Sequence, residues 1–336
     1  HRIFCWITLP ARKLYNGGRK METKSFDLKK FLMKYVMYLF LILMCIVLTI
    51  ASDKFLTLTN LMTIIKQISI QSIVAIGMTM IIISGNIDLS VGSLVALCSV
   101  SCAMLMNKGL PTIIAVLAAV IIGAFAGFIT GGVTAKLKLH SFLVTLALMT
   151  ALRGLAQTLT NGRPVAGLPS SFGKVASGTV GPVPLLVIYM IVLYAIFMYV
   201  MKYTAFGRSI YAVGSNQESA RLSGINIEKV KTLVFILSGA LCGIAGVLLT
   251  AKVRSGDPTC ANAWEMDTIA GAIIGGTDMN GGEGKLGGTI IGLLFVGILA
   301  NGMVLLGVSA YMQSVIKGLV IFMAVIINSI QKRSQG

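Results

Sequence analysis

Ten runs of apolar residues divide the chain, near 33–51, 61–83, 89–106, 112–135, 142–160, 184–201, 231–251, 266–280, 287–307 and 311–330. Most are long enough to cross a hydrocarbon layer as helices, which takes about 20 residues. The eighth is short and glycine-rich and reads as a broken helix. The pattern predicts an all-α polytopic membrane protein with about ten transmembrane helices, some of them broken. Within the runs a few polar positions recur at helical spacing. Gln67, Gln71, Ala75 and Thr79 fall every fourth residue, and Arg153 and Gln157 do the same. Such stripes face away from lipid, either lining a polar cavity or packing against another helix. A cavity lined by amides and hydroxyls suits a neutral polyhydroxylated solute better than an ion.

Composition supports the membrane class. Hydrophobic residues make up 56% and charged residues 12% of the chain, with mean hydropathy +0.89. A soluble chain carries about twice that charge. The formal charge of +17 is not a nucleic-acid signature, because the basic residues lie between apolar runs without interleaved aromatics. They sort by side instead. With ten spans, 19 Lys and Arg fall on the side of both termini and 6 on the other, or 10 against 6 without the nine in the N-terminal tail. The positive-inside rule then places both termini and the 202–231 loop in the cytoplasm. The six cysteines form no CxxC and read as small apolar residues. No cleavable secretory signal is evident, and the first span reads as a retained helix. Residues 1–30 form a basic cytoplasmic tail, 31–330 the membrane domain and 331–336 a second short tail. The chain begins with His1, and Met21 opens METKSFDLKK; residues 1–20 read as upstream or added sequence, or else as a native flexible tail.

Three cations remain inside spans: Lys66, Arg153 and Lys317. Each lies six or seven residues from the outer end of its run, roughly 10 Å deep. They either snorkel to the outer interface or ring the mouth of a polar cavity.

The segment 202–231, KYTAFGRSIYAVGSNQESARLSGINIEKVK, is the one thoroughly polar interior stretch. Its centre, 215–223, predicts a short helix capped by Ser215 or Asn216 and ended by Gly224. A short helix on a basic loop is a handle for a cytosolic partner.

Two further breaks interrupt the apolar pattern. In the first, 81–93, Asp88 is placed to cap the following helix through its unpaired amides. The second, 275–285, superficially resembles a phosphate loop. No glycine precedes Gly284-Lys285 at the required spacing, and Leu286 stands where Ser or Thr would bind magnesium. Neither GxSxG nor HExxH occurs, and His1 and His140 are the only histidines. His140, beside Lys136, Lys138 and Ser141, reads as interfacial. A membrane-embedded enzyme is thereby disfavoured. An ion-coupled secondary transporter of a small polar solute is the stronger rival, but it generally needs buried carboxylates. On this map no carboxylate lies mid-span.

The segments SGNIDLSVGSLVAL (84–97), GRSIYAVGSNQESARLSGINIEKVK (207–231), WEMDTIAGAIIGGTDMNGGEGKLGGTIIGLL (264–294) and NGMVLLGVSAYMQSVIKGLVIFMAVII (301–327) resemble the ribose-type permeases of bacterial ABC sugar importers. The resemblance covers nearly all of 31–330. It implies a permease subunit paired with a cytoplasmic ATPase that binds ATP and Mg. A periplasmic or lipid-anchored sugar-binding protein would feed it, and a second permease subunit would complete the path. Glu218 to Gly224 is also similar to the EAAxxxG coupling motif of importer permeases, with Ser219 departing at the second position. Carried onto this chain, ATPase coupling falls to Gly207, Arg208, Gly214, Asn216, Glu218, Ala220, Arg221 and Gly224. The residue pattern assigns the translocation path to Gln67, Gln71, Asp88, Ser90, Arg153 and Gln157. Ribose is the expected cargo, with xylose, galactose, arabinose, inositol or a furanosyl signalling molecule left open. No cofactor or metal is expected in this chain.

Overall fold

The computed structural model describes residues 28–333, with side chains described for 39–323, 325 and 326. The tail 1–27 and residues 334–336 lie outside the described residues. The chain divides into a short unit, 1–36, and a main unit, 37–336, which contains the helical bundle. In chain order the helices are α1 (Leu28–Ala51), α2 (Leu58–Ile83), α3 (Val91–Asn107), α4 (Thr112–Lys136), α5 (Ser141–Thr160) and α6 (Ser170–Ser177). A two-stranded hairpin, β1 (Thr179–Val180) and β2 (Val183–Pro184), comes next. Then come α7 (Leu185–Tyr203), α8 (Ala205–Ser215), α9 (Gln217–Leu222), α10 (Ile227–Val253), α11 (Trp264–Ile274), α12 (Leu286–Leu305) and α13 (Ala310–Arg333).

Each of the ten apolar runs coincides with a helix. Six helices, α2, α4, α5, α7, α10 and α12, are long and apolar enough to cross a membrane; α3 and the described parts of α1 and α13 are shorter apolar helices. Apolar sequence takes the helical form here because lipid offers backbone amides no partner. The ends are set by glycine. α2, α3, α9, α11 and α12 all stop with a glycine in the left-handed region (Gly85, Gly109, Gly224, Gly276 and Gly307). In each, the next residue's amide reaches back five residues and the glycine's own amide reaches back three, as in Asn86 N to Ile81 O and Gly85 N to Ile82 O. Only glycine takes that φ without a Cβ penalty.

The core is formed by α2, α3 and α10. From Ile68 to Ile83 every residue of α2 is buried, so this helix is wrapped by protein rather than lipid. Close approach comes from glycine. On α4, Gly123, Gly127 and Gly131 lie four apart, and a Cβ there would overlap Gly239, Phe235 and Thr232 of α10; Gly239 and Gly243 answer with Gly123 and Val120. This is the small-xxx-small packing of membrane helices. Gly271 of α11 and Gly275, just past its end, meet Gly292 and Gly288 of α12 in the same way. Hydroxyl pairs add cross-helix bonds: Ser99 to Thr250 at 2.7 Å and Thr79 to Thr289 at 2.8 Å.

The eighth run departs most from the expected span. α11 covers only Trp264–Ile274, about 16 Å of helix against a core of roughly 30 Å. The chain reaches it through a non-helical segment, 254–263, laid along α3. A Cβ on Gly256 would touch Ser99, Val100 and Ala103, and one on Gly92 would touch Ala261 and Glu265. From Ala103 to Gly92 is eleven residues of α3, about 16 Å. The segment therefore runs half the depth of the bundle before helix resumes. Irregular backbone is tolerated where it packs on protein or lines a polar cavity; Gly256, Pro258 and Ala261 are buried, while Arg254, Thr259, Asn262 and Ala263 are exposed. It has three non-glycine residues in the left-handed region, Arg254, Ala261 and Ala263, with φ of 58°, 54° and 61°.

Candidate translocation path and coupling surface

Half-depth α11 carries two carboxylates into the interior. Asp267 is 6% exposed. Its Oδ2 accepts from Gln71 Nε2 of α2 at 3.0 Å and pairs with Lys317 Nζ of α13 at 3.0 Å. Three helices thus meet on one carboxylate oxygen. Glu265, in the same first turn of α11, interacts electrostatically with Arg153, Asp267 and Asp88. Arg153 Nη1 donates to Pro258 O at 2.9 Å and Cys260 O at 2.8 Å, fastening the 254–263 segment to α5.

This arrangement revises several expectations. The expectation of no carboxylate within the spans passed over Asp267, which the structure buries between α2 and α13. Lys317 does not snorkel outward alone; it neutralises Asp267. Arg153 serves backbone carbonyls. In the Gln67–Thr79 stripe, Gln71, Ala75 and Thr79 are buried against α11 and α12, and Thr79 bonds Thr289, so interhelical packing describes them. Gln67 and Gln157 lie on exposed faces. Asp88 does not reach the first-turn amides of α3. Its Oδ1 accepts from Ser90 N at 2.8 Å and Ser90 Oγ at 2.6 Å, closing a local turn that positions the residue before the helix.

The polar 202–231 stretch contains two helices, not one. α8 begins after Thr204, whose Oγ1 accepts from Gly207 N at 3.1 Å. Gly207 allows the tight α7–α8 turn, since a Cβ there would strike Val200 O and Met201 O. Ser215 belongs to α8. Asn216 alone caps α9, its Oδ1 accepting from Ser219 N at 2.9 Å. Ala220 is the buried anchor of α9 at 3% exposure. Glu218 and Arg221 are exposed and pair at 3.5 Å; Arg208 is exposed and donates to Tyr203 O at 3.4 Å.

The two glycine-rich breaks meet each other and the end of α8. A Cβ on Gly214 would overlap Ile83 O and Gly282 N, one on Gly281 would meet Gly85, and one on Gly282 would meet Ser215. Gly282 N donates to Ile83 O at 2.8 Å, and Tyr211 OH donates to Gly284 O at 2.9 Å. Burial raises the Tyr211 phenol above its ordinary range, so it stays a donor. The 275–285 loop is thus a junction whose amides are turned inward: Asp278 N binds Glu283 O and Gly281 N binds Asp278 O. A phosphate cradle needs those amides turned out. Sequence alone did not place Gly85, Gly214 and Gly281 together, although each marks a helix end or a break.

A bundle of apolar helices, split inside by a polar seam and bearing two short helices at one end, defines a polytopic helical membrane protein of the permease kind. Residues 60–325 match the family described as branched-chain amino acid transport system / permease component, and the chain belongs to that family. It is 38% identical over 326 residues to the ribose import permease protein of Escherichia coli strain K12, covering 96% of this chain and 98% of that protein. It is 37% identical over 311 residues to the ribose import permease protein of Haemophilus influenzae, covering 91% and 96%. The L-arabinose transport system permease protein of Escherichia coli strain K12 is 32% identical over 319 residues, covering 95% and 97%. No solved structure matches the chain.

Proposed function

We propose that this chain is the permease subunit of an ATP-driven ABC importer that carries a monosaccharide, ribose or a related sugar, across the bacterial cytoplasmic membrane. The observation that carries the reading is its end-to-end similarity to ribose import permeases at 37–38% identity. The arabinose permease, at 32%, is the more distant of these relatives. ATP and Mg belong to a separate cytoplasmic ATPase, and the inward-turned amides of 275–285 agree with that division. A periplasmic or lipid-anchored binding protein supplies the sugar, and a second copy of the permease completes the path. About ten spans follow from the ten apolar runs, and the basic-residue asymmetry counted on them sets both termini and the 202–231 loop in the cytoplasm.

In this reading α9 is the coupling helix. Ala220 seats it, Asn216 and Gly224 fix its ends, and Glu218 and Arg221 face the ATPase, with exposed Arg208 on the preceding α8. Force applied to α9 passes through α8 to Gly214. There it meets the ends of α2 and of the α11–α12 loop together, because the three backbones are in contact. α2 carries Gln71 and α11 carries Asp267, so the seam near Arg153 and the Asp88–Ser90 turn moves with the coupling surface. Alternating access then consists of opening and closing that seam on either side. Weak binding suffices there, since the soluble receptor carries selectivity.

Permease, ATPase and binding protein reconstituted in vesicles with ATP should accumulate radiolabelled ribose, with arabinose and xylose as competitors. Uptake of branched-chain amino acids instead of any pentose would overturn the assignment of substrate class.

A further inference from the structure

At the α9 end of the bundle a cavity of about 380 Å³ lies between the α2–α3 turn, the α4–α5 turn, α9 and the start of α10. Its volume is within the range of small-molecule sites, about 300–1,000 Å³. The wall residues divide by depth. Asn86, Thr134 and Ser141 are buried and polar, while Lys138, His140 and Arg221 are exposed and Lys231 is half-buried. Glu228 is the one carboxylate in the wall and Glu218 pairs with Arg221 from outside it, so Lys138, Arg221 and Lys231 still leave the cavity net positive without counting His140.

Two independent features point to an anion, and a third sets a cation beside them. Thr134 is 3% exposed, and its Oγ1 has no hydrogen-bond partner among the described residues; an orphaned hydroxyl in a buried wall is a cost that a ligand oxygen removes. His140 and Ser141 open α5, a helix of 20 residues whose N-terminus has no side-chain cap, leaving its positive end available. Lys138 has φ of +53° just past the end of α4, where glycine is usual. The same turn places the lysine on the cavity.

We propose that this cavity binds a small phosphate-bearing ligand, held by Lys138, Lys231 and Arg221 over the Thr134 hydroxyl. Arg221 lies on α9 and Lys231 on α10, so an occupant ties the coupling helix to the bundle and restrains its motion. The phosphate comes either from a soluble phosphorylated metabolite or from a phospholipid headgroup. The site itself does not depend on the transport reading; only its effect on coupling does.

The full chain in phosphatidylcholine nanodiscs, which leave both faces accessible, provides the test. Its thermal unfolding midpoint is followed against inorganic phosphate and against chloride at matched ionic strength. Phosphate is expected to raise the midpoint saturably by about 2 °C or more, the scale set by a modest ligand on a chain of this size. The Lys138→Gln/Lys231→Gln double variant should lose the rise, and Lys136→Gln, an exposed lysine outside the cavity, should keep it. Should the double variant not fold, Lys138→Gln alone should weaken the apparent phosphate affinity about tenfold, as loss of one charged hydrogen bond implies. Discs containing phosphatidylglycerol separate the sources. A higher starting midpoint with no further phosphate response identifies a lipid headgroup, and a persisting response identifies a soluble ligand. Phosphate acting no better than chloride in phosphatidylcholine discs, or equally on parent and cavity variant, overturns the proposal.

Discussion

At the scale of single residues, the Asp267–Lys317 pair is the costliest polar feature of the interior. Asp267 is 9% exposed at its side chain and Lys317 is 27%. Breaking a fully buried pair costs roughly 3–5 kcal/mol because the survivor is left charged and dry. Some access to Lys317 moves the expectation to the lower end. Lys317→Met, which strands the Asp267 carboxylate, should lower the unfolding midpoint in detergent by several degrees. Lys317→Met combined with Asp267→Asn should recover most of the loss, since Gln71 can still bond the amide. Equal midpoints for the single variant and the parent would show that the pair holds nothing together. Glycines give a second residue-scale contrast. Gly214→Ala forces a Cβ into Ile83 O and Gly282 N, whereas Gly224 has φ of +80° but nothing within 4 Å of its added Cβ. Gly224→Ala should cost only about 1–2 kcal/mol of backbone strain. Gly214→Ala should cost more, measured as lower yield of monodisperse protein, because three backbones must separate.

At the scale of elements, α9 is held by local bonds and one buried residue, so its outer face is free to change. The Glu218–Arg221 pair is exposed and i,i+3, a type that contributes little. Arg221→Glu and Gly224→Leu should therefore insert and fold normally. Each should weaken co-purification with the ATPase roughly tenfold, about 1.4 kcal/mol, or uncouple uptake from hydrolysis; wild-type behaviour in both would place the coupling surface elsewhere. The Asn216 cap and the Gly224 stop of this helix are legible in the sequence, because capping is decided within a few residues. α8 is not: eleven residues carrying Gly207, Gly214 and two serines read as loop until Gly214 is seen against Ile83. The 254–263 segment and the depth of α11 are equally hidden. Hydropathy counts apolar residues but does not say where in the bundle a run begins, so nothing in the sequence marks Asp267 as an interior acid. The long apolar helices, by contrast, need only composition and length.

At the scale of the whole molecule, the source of energy is the property on which the competing transport readings part. An ion-coupled transporter needs a carboxylate that gains and loses a proton or cation during the cycle. Buried Asp88 is engaged by Ser90; Asp267 is bonded on one oxygen by both Gln71 and Lys317, where a lysine at 3.0 Å already supplies the positive charge a coupling ion would bring. The purified permease should accordingly show no ATPase activity above a detergent blank. With its ATPase and binding protein in vesicles, it should take up sugar only while ATP remains. Imposed pH or sodium gradients should not drive uptake, and dissipating them should not stop it while ATP is supplied. Gradient-driven accumulation without ATP would mean that the Asp267–Lys317 pair opens during transport and that the chain works as a secondary transporter. Robust ATP turnover by the permease alone would contradict the division of labour between subunits.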